Sequence, residues 1–303
     1  MLHLRLLGTA AGGGFPQWNC ACTTCASSRT EPEKVSPRMQ LQAAVWSSPD
    51  AIFLLNASPD IRFQIEANSE LRPRTNRGNR NTPIQGVVLT TADLDQVLGL
   101  LLLREFQPLT LYATALVRRV LEANSFFRML ERVPNQLSWV EIKAGVSFQL
   151  GTSGIECTPF AMGGELPIYA GEPGANASEQ ASLGLLLEGD GMRIAYTPMV
   201  PAITDSLRAI YAGCETIFVD GTFWSNEELS ETHAGTPMAQ AIGHVPMSGK
   251  DGTIALLSNL PASQKIFVHL NNTNPVLDPR SGAYNAVVEA GWKIGEDGWE
   301  LGQ

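Results

Sequence analysis

The sequence predicts an α/β fold, and three observations predict it. Runs rich in apolar and β-branched residues recur along the chain, and several are apolar throughout, as suits strands buried on both faces. Helical segments fall between these runs, and that interleaving gives layered packing. The 303 residues are 44% hydrophobic and 17% charged, the balance of a folded globular chain. A chain of this size normally buries about three quarters of its unfolded surface, so its core needs no cross-linking staple.

Taken in order, strands are expected over 2–8 (LHLRLLG), 51–57 (AIFLLNA), 85–91 (QGVVLTT), 109–114 (LTLYAT), 183–189 (LGLLLEG), 192–198 (MRIAYTP), 216–222 (TIFVDGT) and 265–271 (KIFVHLN). Helices are expected over 59–67, behind the cap signal Ser58-Pro59-Asp60, and over 94–105, 114–131, 202–212 and 236–243. No internal repeat, linker or low-complexity tract divides the chain, so a single domain over 1–303 is expected. Residues 161–182 carry many Gly, Ala, Ser and Pro without periodicity. Long loops of that kind are commonly lids or disordered, and this one reads as a candidate lid.

The first apolar run is too short for a secretory signal, and no stretch reaches the roughly 18 apolar residues of a membrane span. A soluble, cytoplasmic protein with no membrane partner is the expectation. The formal charge of -9, the pI near 5.0 and the absence of a Lys/Arg run argue against a nucleic-acid partner, because such binding rests on phosphate neutralisation.

Three of the five cysteines, Cys20, Cys22 and Cys25, fall within WNCACTTC. A local disulfide, a redox pair and a metal clip are the alternatives. In a reducing compartment stable disulfides are rare, and Cys20 and Cys22 are an awkward pair, so a structural zinc is the favoured reading. C-x-C-x-x-C supplies three of the four ligands of a closed tetrahedral site, and the fourth must come from elsewhere. Cys157 and Cys214 sit in strand-like contexts and read as small buried hydrophobes. Gly12, Gly13 and Gly14 lack the lysine and the spacing of a phosphate cradle. They form a tight loop leading to the clip, with Phe15 and Trp18 expected to pack the clip against the body.

Polar, metal-competent residues stand at the carboxyl ends of three expected strands: Asp93, Asp95 and Gln96 after QGVVL, Asp220 after TIFV, and His269 after KIFV. That edge is where α/β sheets usually bind ligands. Each residue also has an ordinary reading. Asp95 could cap a helix, Gln96 could be a solvent-facing amide, Asp220 could form a turn before Gly221, and His269 could be a satisfied core histidine. His3 and His233 read as structural or exposed.

The order T-x-x-D-x-D-Q, V-D-G, F-V-H resembles the metallo-β-lactamase fold. The blocks GTAAGGGFPQWNCACTTC (8–25), LNASPDIR (55–62), ADLDQVLGLLLLREFQP (92–108), VDGTFW (219–224), AIGHVPMSG (241–249) and HLNNTNPVL (269–277) resemble more closely the pyrroloquinoline quinone (PQQ) biosynthesis protein B family, and they span nearly the whole chain. The resemblance implies a four-layer αββα sandwich with two mixed sheets. It also implies a role in making the quinone cofactor from a Glu-Tyr unit, as an iron- and O2-dependent hydroxylase of the tyrosine ring. Alternatives are a carrier for PQQ or its precursor and a residual metal-dependent hydrolase.

Thr91 and Asp93 stand where the wider fold has histidines, Gln96 replaces another, and TPFAMGG lacks the usual mid-chain histidine. With four histidines in all, imidazole-rich zinc hydrolysis is the weaker reading. The remaining Asp95, Asp220 and His269, with Gln96 as a neutral oxygen donor, resemble a carboxylate-rich Fe2+ site with open positions for O2 and substrate. His244 matches the family's histidine near the pocket mouth, as a substrate contact or general acid/base, and Asp93 completes the catalytic candidates. Phosphodiesterases similar in the cysteine motif take their fourth zinc ligand from a position that is Asn272 here, so that ligand stays unassigned. A clip that ties the N-terminal loop to residues 269–275 would also hold His269. The expected partners are O2 and a small-molecule or dipeptide substrate derived from Glu-Tyr, with a homodimer left open.

Overall fold

All eight apolar runs form strands in the computed structural model, which describes residues 1–171, 178–232 and 235–301. The chain divides into two units: Met1–Gly8 with Leu41–Gly191 and Gly298–Gln303, and Thr9–Gln40 with Met192–Asp297.

In the first unit, β1 (His3–Gly8), β2 (Gln42–Ser48) and β3 (Ala51–Leu55) pair antiparallel. From β3 the sheet continues parallel through β4 (Ile84–Val88), β5 (Leu109–Ala113) and β6 (Leu137–Glu141). β3 is buried at every position, which is why its sequence shows no alternation. An antiparallel set, β7 (Phe148–Gln149), β8 (Glu156–Ala161) and β9 (Leu183–Gly189), completes this unit's strands. Sequence reading missed β2 because its Ala-Ala start has low strand propensity, and β8 because Pro159 interrupts it.

The helices are shorter than their patterns suggest, and the causes are local. Helix Ala115–Ala123 starts where the Thr114 side chain accepts from Val117 N, and it buries Val117, Val120 and Leu121 at helical spacing. It stops at Asn124, whose Oδ1 accepts from Phe126 N at 3.1 Å, a local bond that competes with the helical ladder. The run expected as a helix over 94–105 is α-helical only over Leu94–Val97 and continues as a 3₁₀ segment, Leu98–Leu103. Ala57 intrudes there: its N donates to Gln96 O at 2.7 Å and its O accepts from Gly99 N at 2.9 Å. The expected 236–243 helix is a single 3₁₀ turn, Ala239–Ile242, ended by Gly243 at φ 84°, a left-handed position suited to glycine.

In the second unit, β10 (Met192–Thr197), β11 (Thr216–Asp220), β12 (Gln264–Val268) and β13 (Lys293–Ile294) run parallel. One face of these strands carries Ile194, Tyr196, Phe218 and Ile266, and Phe267 lies on the other, all fully buried. Asp220 pairs with Val268, so β11 and β12 end side by side, and the residues that follow are brought together. The N-terminal loop joins this edge, since Ala10 bridges both Gln40 and Leu270. Helices Thr23–Thr30, Asp205–Ala212 and Gly282–Glu289 also belong to this unit.

Of the candidate lid, residues 172–177 lie outside the described residues, while its Leu166, Tyr169 and Ala170 pack against the first unit's apolar cluster. His233 also lies outside the described residues. Among the described residues no helix is long and apolar enough to cross a membrane.

The β11 and β12 ends approach so closely that only glycine fits at 221. A Cβ there would lie 2.8 Å from Phe267 Cβ and 3.0 Å from Leu270 Cδ2. Gly221→Ala is expected to destabilise the protein by about 1–3 kcal/mol, the range for overpacking, read as a lower urea midpoint at unchanged m-value. An unchanged midpoint would show that the strand ends have slack.

Candidate metal centres

A carboxylate fully removed from water needs several donors to stay ionised, and Asp220 has four. Its Oδ1 accepts from Thr222 N at 3.0 Å and Thr222 Oγ1 at 2.6 Å, while Oδ2 accepts from Val200 N at 3.0 Å and lies 2.7 Å from His244 Nδ1. Thr222 Oγ1 is also 3.1 Å from His244 Nδ1 and 2.9 Å from His269 Nδ1. Burial alone would push the Asp220 carboxyl up. The neighbouring His244, then His269 and the Thr222 hydroxyl, outweigh burial and hold it below the usual carboxylate range. The two imidazole rings lie 5.6 Å apart, and Phe223 meets His244 edge-on at 5.7 Å. One donor atom each from Asp220, His244 and His269 lies within 4.8 Å of the others, and all three residues are buried.

Each residue is placed by its element. Asp220 ends β11. His269 follows β12 with φ 62°, a left-handed conformation that costs a non-glycine residue on the order of 1–2 kcal/mol. Its neighbours fix that turn: Gly221 N donates to Val268 O at 2.8 Å, Leu270 N to Thr9 O at 2.8 Å, Ala11 N to Leu270 O at 2.8 Å and Asn271 N to Thr222 O at 3.0 Å. His244 follows the left-handed Gly243, and its N donates to Ala239 O at 3.1 Å. Strain held by surrounding hydrogen bonds is a common property of functional sites.

The structure therefore brings together Asp220 and His269, as the strand-end pattern suggested, and adds His244 as a third donor. Thr222, which bonds to all three, was missed. Its only signal was its place two residues after Asp220 in VDGT.

Asp93, Asp95 and Gln96 lie in the first unit. Asp93, not Asp95, is the N-cap of Leu94–Val97 and makes no side-chain cap hydrogen bond; its Oδ2 accepts from Thr91 Oγ1 at 2.8 Å. Gln96 is 3% exposed, so the solvent-facing reading fails. Its Nε2 donates to Asp95 Oδ2 at 3.0 Å, and its Oε1 is buried with no hydrogen-bond partner among the described residues. An orphaned buried acceptor is costly, and this one is a free oxygen donor.

The three clustered cysteines are the second donor set. Cys20, Cys22 and Cys25 are free thiols with sulfurs within 4.8 Å of one another. Asn272 meets them: its O is 3.6 Å from Cys22 Sγ and 3.9 Å from Cys25 Sγ, and accepts from Thr24 Oγ1 at 2.5 Å. Its Nδ2 is 3.4 Å from Cys25 Sγ. The clip thus ties the N-terminal loop to the segment that begins at His269. Burial pushes the Cys25 thiol up to about 11. At Cys22 burial also acts upward, but hydrogen bonds from Thr24, the Cys25 backbone and Cys20 together bring it down.

Phe15 is buried as expected, but Trp18 is 87% exposed and packs the clip against nothing; the loop is held instead by Arg29, which donates to Cys20 O and Gln17 O. Cys157 and Cys214 are buried as expected, and His3 stacks on Trp46 and pairs with Glu300.

Beside the clip lies a cavity of 560 Å³ lined by Cys22, Thr24, Trp224, Glu228, Thr273 and Pro275. Glu228 accepts from Thr273 Oγ1 at 2.6 Å and Trp224 N at 2.5 Å. Burial pushes its carboxyl up to about 7, against the downward pull of Thr273 and the Trp224 and Ser225 amides.

Residues 52–270 match the Beta-lactamase superfamily domain. Coenzyme PQQ synthesis protein B of Methylobacterium nodulans is 41% identical over 98% of this chain and 98% of its own. That of Rhizobium meliloti is 39% identical over 99% of this chain and 97% of its own. A crystal structure of Zn2+-bound PqqB from Methylobacterium extorquens superposes with a TM-score of 0.93 at 36% identity, covering 99% of this chain and 100% of that one. A diphosphatase of the PhnP family, at TM-score 0.69 and 19% identity over 99% of this chain and 96% of that one, shares the fold.

Glu228 generates a pH dependence whose sign is fixed. Its unfolded form ionises near about 4.3 and its folded form near 7, so the folded state holds the extra proton between those values. Stability is then lost as pH rises through that window, by about 4 kcal/mol in all. Glu228→Gln keeps an acceptor for the Trp224 amide and can donate to Thr273. It is expected to match the parent near pH 4 and to exceed it by up to about 4 kcal/mol at pH 8 in urea unfolding. Parallel pH profiles for the two proteins would refute it.

Proposed function

The chain belongs to the coenzyme PQQ synthesis protein B family, within the β-lactamase superfamily, and on that premise we propose that it is an iron- and O2-dependent hydroxylase of the tyrosine ring in a Glu-Tyr-derived precursor. Its fold is the metallo-β-lactamase fold, α/β with two mixed sheets. It is a PQQ biosynthesis protein with metal-competent donor sets.

The observation that carries the reading is the convergence of one carboxylate and two imidazoles, Asp220, His244 and His269, in a buried cluster. That composition suits a facial Fe2+ site, and Fe2+ bound there supplies O2 activation at open coordination positions. The protein's own groups do the rest. Asp220, His244 and His269 would hold the ion, and Phe223 packs edge-on against His244. In the balanced reaction one oxygen atom enters a ring C–H bond and the other leaves as water, with two electrons drawn from an added reductant such as ascorbate. Within the first unit, the Asp95 carboxylate and the orphaned Gln96 Oε1 are oxygen atoms of the kind that hold Fe2+.

The cysteine clip is assigned a structural Zn2+, since three convergent sulfurs with a carbonyl at the fourth side suit a closed site. The Zn2+-bound relative supports zinc in this family. A cytoplasmic location goes with the free thiols of the clip.

Aerobic incubation with Fe2+, ascorbate and Glu-Tyr is expected to give a product heavier by one oxygen atom, labelled from 18O2 and absent with Asp220→Asn. Tight quinone binding without turnover would instead identify a carrier.

Metal analysis provides a second test. Cys22→Ser is expected to lose zinc and keep iron, and Asp220→Asn to lose iron and keep zinc. Joint loss of both metals in either variant would overturn the assignment of two separate sites.

A further inference from the structure

We infer that the cavity beside the cysteine clip is its loading port, a vestibule in which Glu228 and Glu231 gather a divalent transition-metal ion and deliver it to Cys22. The inference rests on the reading of the clip as a metal site and adds to it a route for the ion and two residues outside the ligand set.

Access to the clip is uneven. Cys20 and Cys25 are buried, and Cys22 alone of the three is partly exposed. Cys22 and its neighbour Thr24 line the 560 Å³ cavity, so an ion that enters there meets Cys22 first. The other two sulfurs then lie within 4.8 Å, and the ion completes its ligand set by moving inward. A buried metal site in a folded chain requires an entry path of this kind.

The charge on the cavity wall has one sign. Glu228, Glu231 and Asp278 line it, and no arginine, lysine or histidine does. Asp278 is matched by Arg280, whose Nε and one amino group donate to its two oxygens at 2.9 Å. Glu228 and Glu231 have no such cation among the described residues. They stand three apart in the helix Glu228–Thr232, a spacing that places them on one side of it; burial first, and the Glu231 charge after it, push the Glu228 carboxyl up to about 7. An unmatched pair of like charges in a cleft focuses a field that draws cations in, and a dication relieves the repulsion between them. Glu228 is held at the wall by Thr273 Oγ1 at 2.6 Å and Trp224 N at 2.5 Å, and Thr273 adjoins Asn272, whose O meets the Cys22 and Cys25 sulfurs. Carboxylate oxygens hold a soft ion less firmly than thiolates do, so the ion passes on to the clip and the vestibule is free for the next step of approach.

The test separates the rate of loading from the strength of holding. Co2+ is mixed with the metal-free protein in a stopped-flow instrument, at a pH where Glu228 is ionised, and its sulfur-to-metal charge-transfer absorbance is followed, a band that reports the cysteines and not the histidine cluster. The variant carrying both Glu228→Gln and Glu231→Gln is expected to load about 10-fold more slowly than the parent at low salt and to approach the parent rate at high salt, as steering by charge requires. Its Co2+ affinity, by chelator competition, is expected to equal that of the parent. Glu289→Gln, which removes an exposed charge from the far end of helix Gly282–Glu289 and does not line the cavity, is expected to load like the parent. A parental loading rate in the double variant, or a loss of affinity that accounts for its slower loading, would overturn the port and leave the clip standing. Absence of the charge-transfer band in the parent would refute the clip as a metal site, and the port with it.

Discussion

The burial of one charge organises this chemistry. Asp220 has no exposed surface, and an ionised carboxylate in that position is tolerable only if nearly all its lone pairs are engaged. The four donors come from three separate stretches: Val200 after β10, Thr222 after β11 and His244 beyond the 3₁₀ turn. Each stretch is fixed in place by what the carboxylate requires. Remove the charge and these loops lose their common reference.

The same requirement links the two donor sets of the second unit. The chain leaves β12 at Val268, turns at His269, bonds to Thr222 through Asn271 and reaches the cysteine cluster at Asn272. Only three positions separate an imidazole of one set from the residue that meets the thiols of the other. A metal at the clip would thus stiffen the segment that places His269, which is a reason for a chain of ample core to keep a metal clip at all.

How far the sequence disclosed this follows from range. Strands buried on both faces announce themselves as unbroken apolar runs, and AIFLL and TIFVD were legible for that reason. β2 and β8 were not, because Ala43, Ala44 and Pro159 are tolerated there only through pairing with neighbours that sequence patterns do not show. The helix over 94–105 was misread in length because Ala57, far upstream, takes Gln96 O and Gly99 N. At the site, Asp220 and His269 were visible as polar residues ending apolar strands. His244 was visible only through its resemblance to a family block, and as a proton acceptor, not as a potential ligand. Thr222 has no signal of its own, since a hydroxyl after a glycine is common and its three partners lie at sequence distances of 2, 22 and 47.

That a single hydroxyl should go unread while it touches every member of the cluster follows from how such centres are built. Ligand residues are chosen for the atoms they offer, and a short list of side chains offers them. The residues behind them are chosen for geometry, and almost any donor or acceptor of suitable length can serve. Here the geometry is strict: the oxygen must lie within reach of a carboxylate on its own strand and an imidazole on the next, across a gap that Gly221 keeps narrow. Threonine meets it because its β-branched side chain has few rotamers, so little ordering is needed to hold the hydroxyl against Asp220. A longer side chain would place its oxygen beyond the gap, and alanine would leave Asp220 one donor short in a place where no water surface is exposed to it.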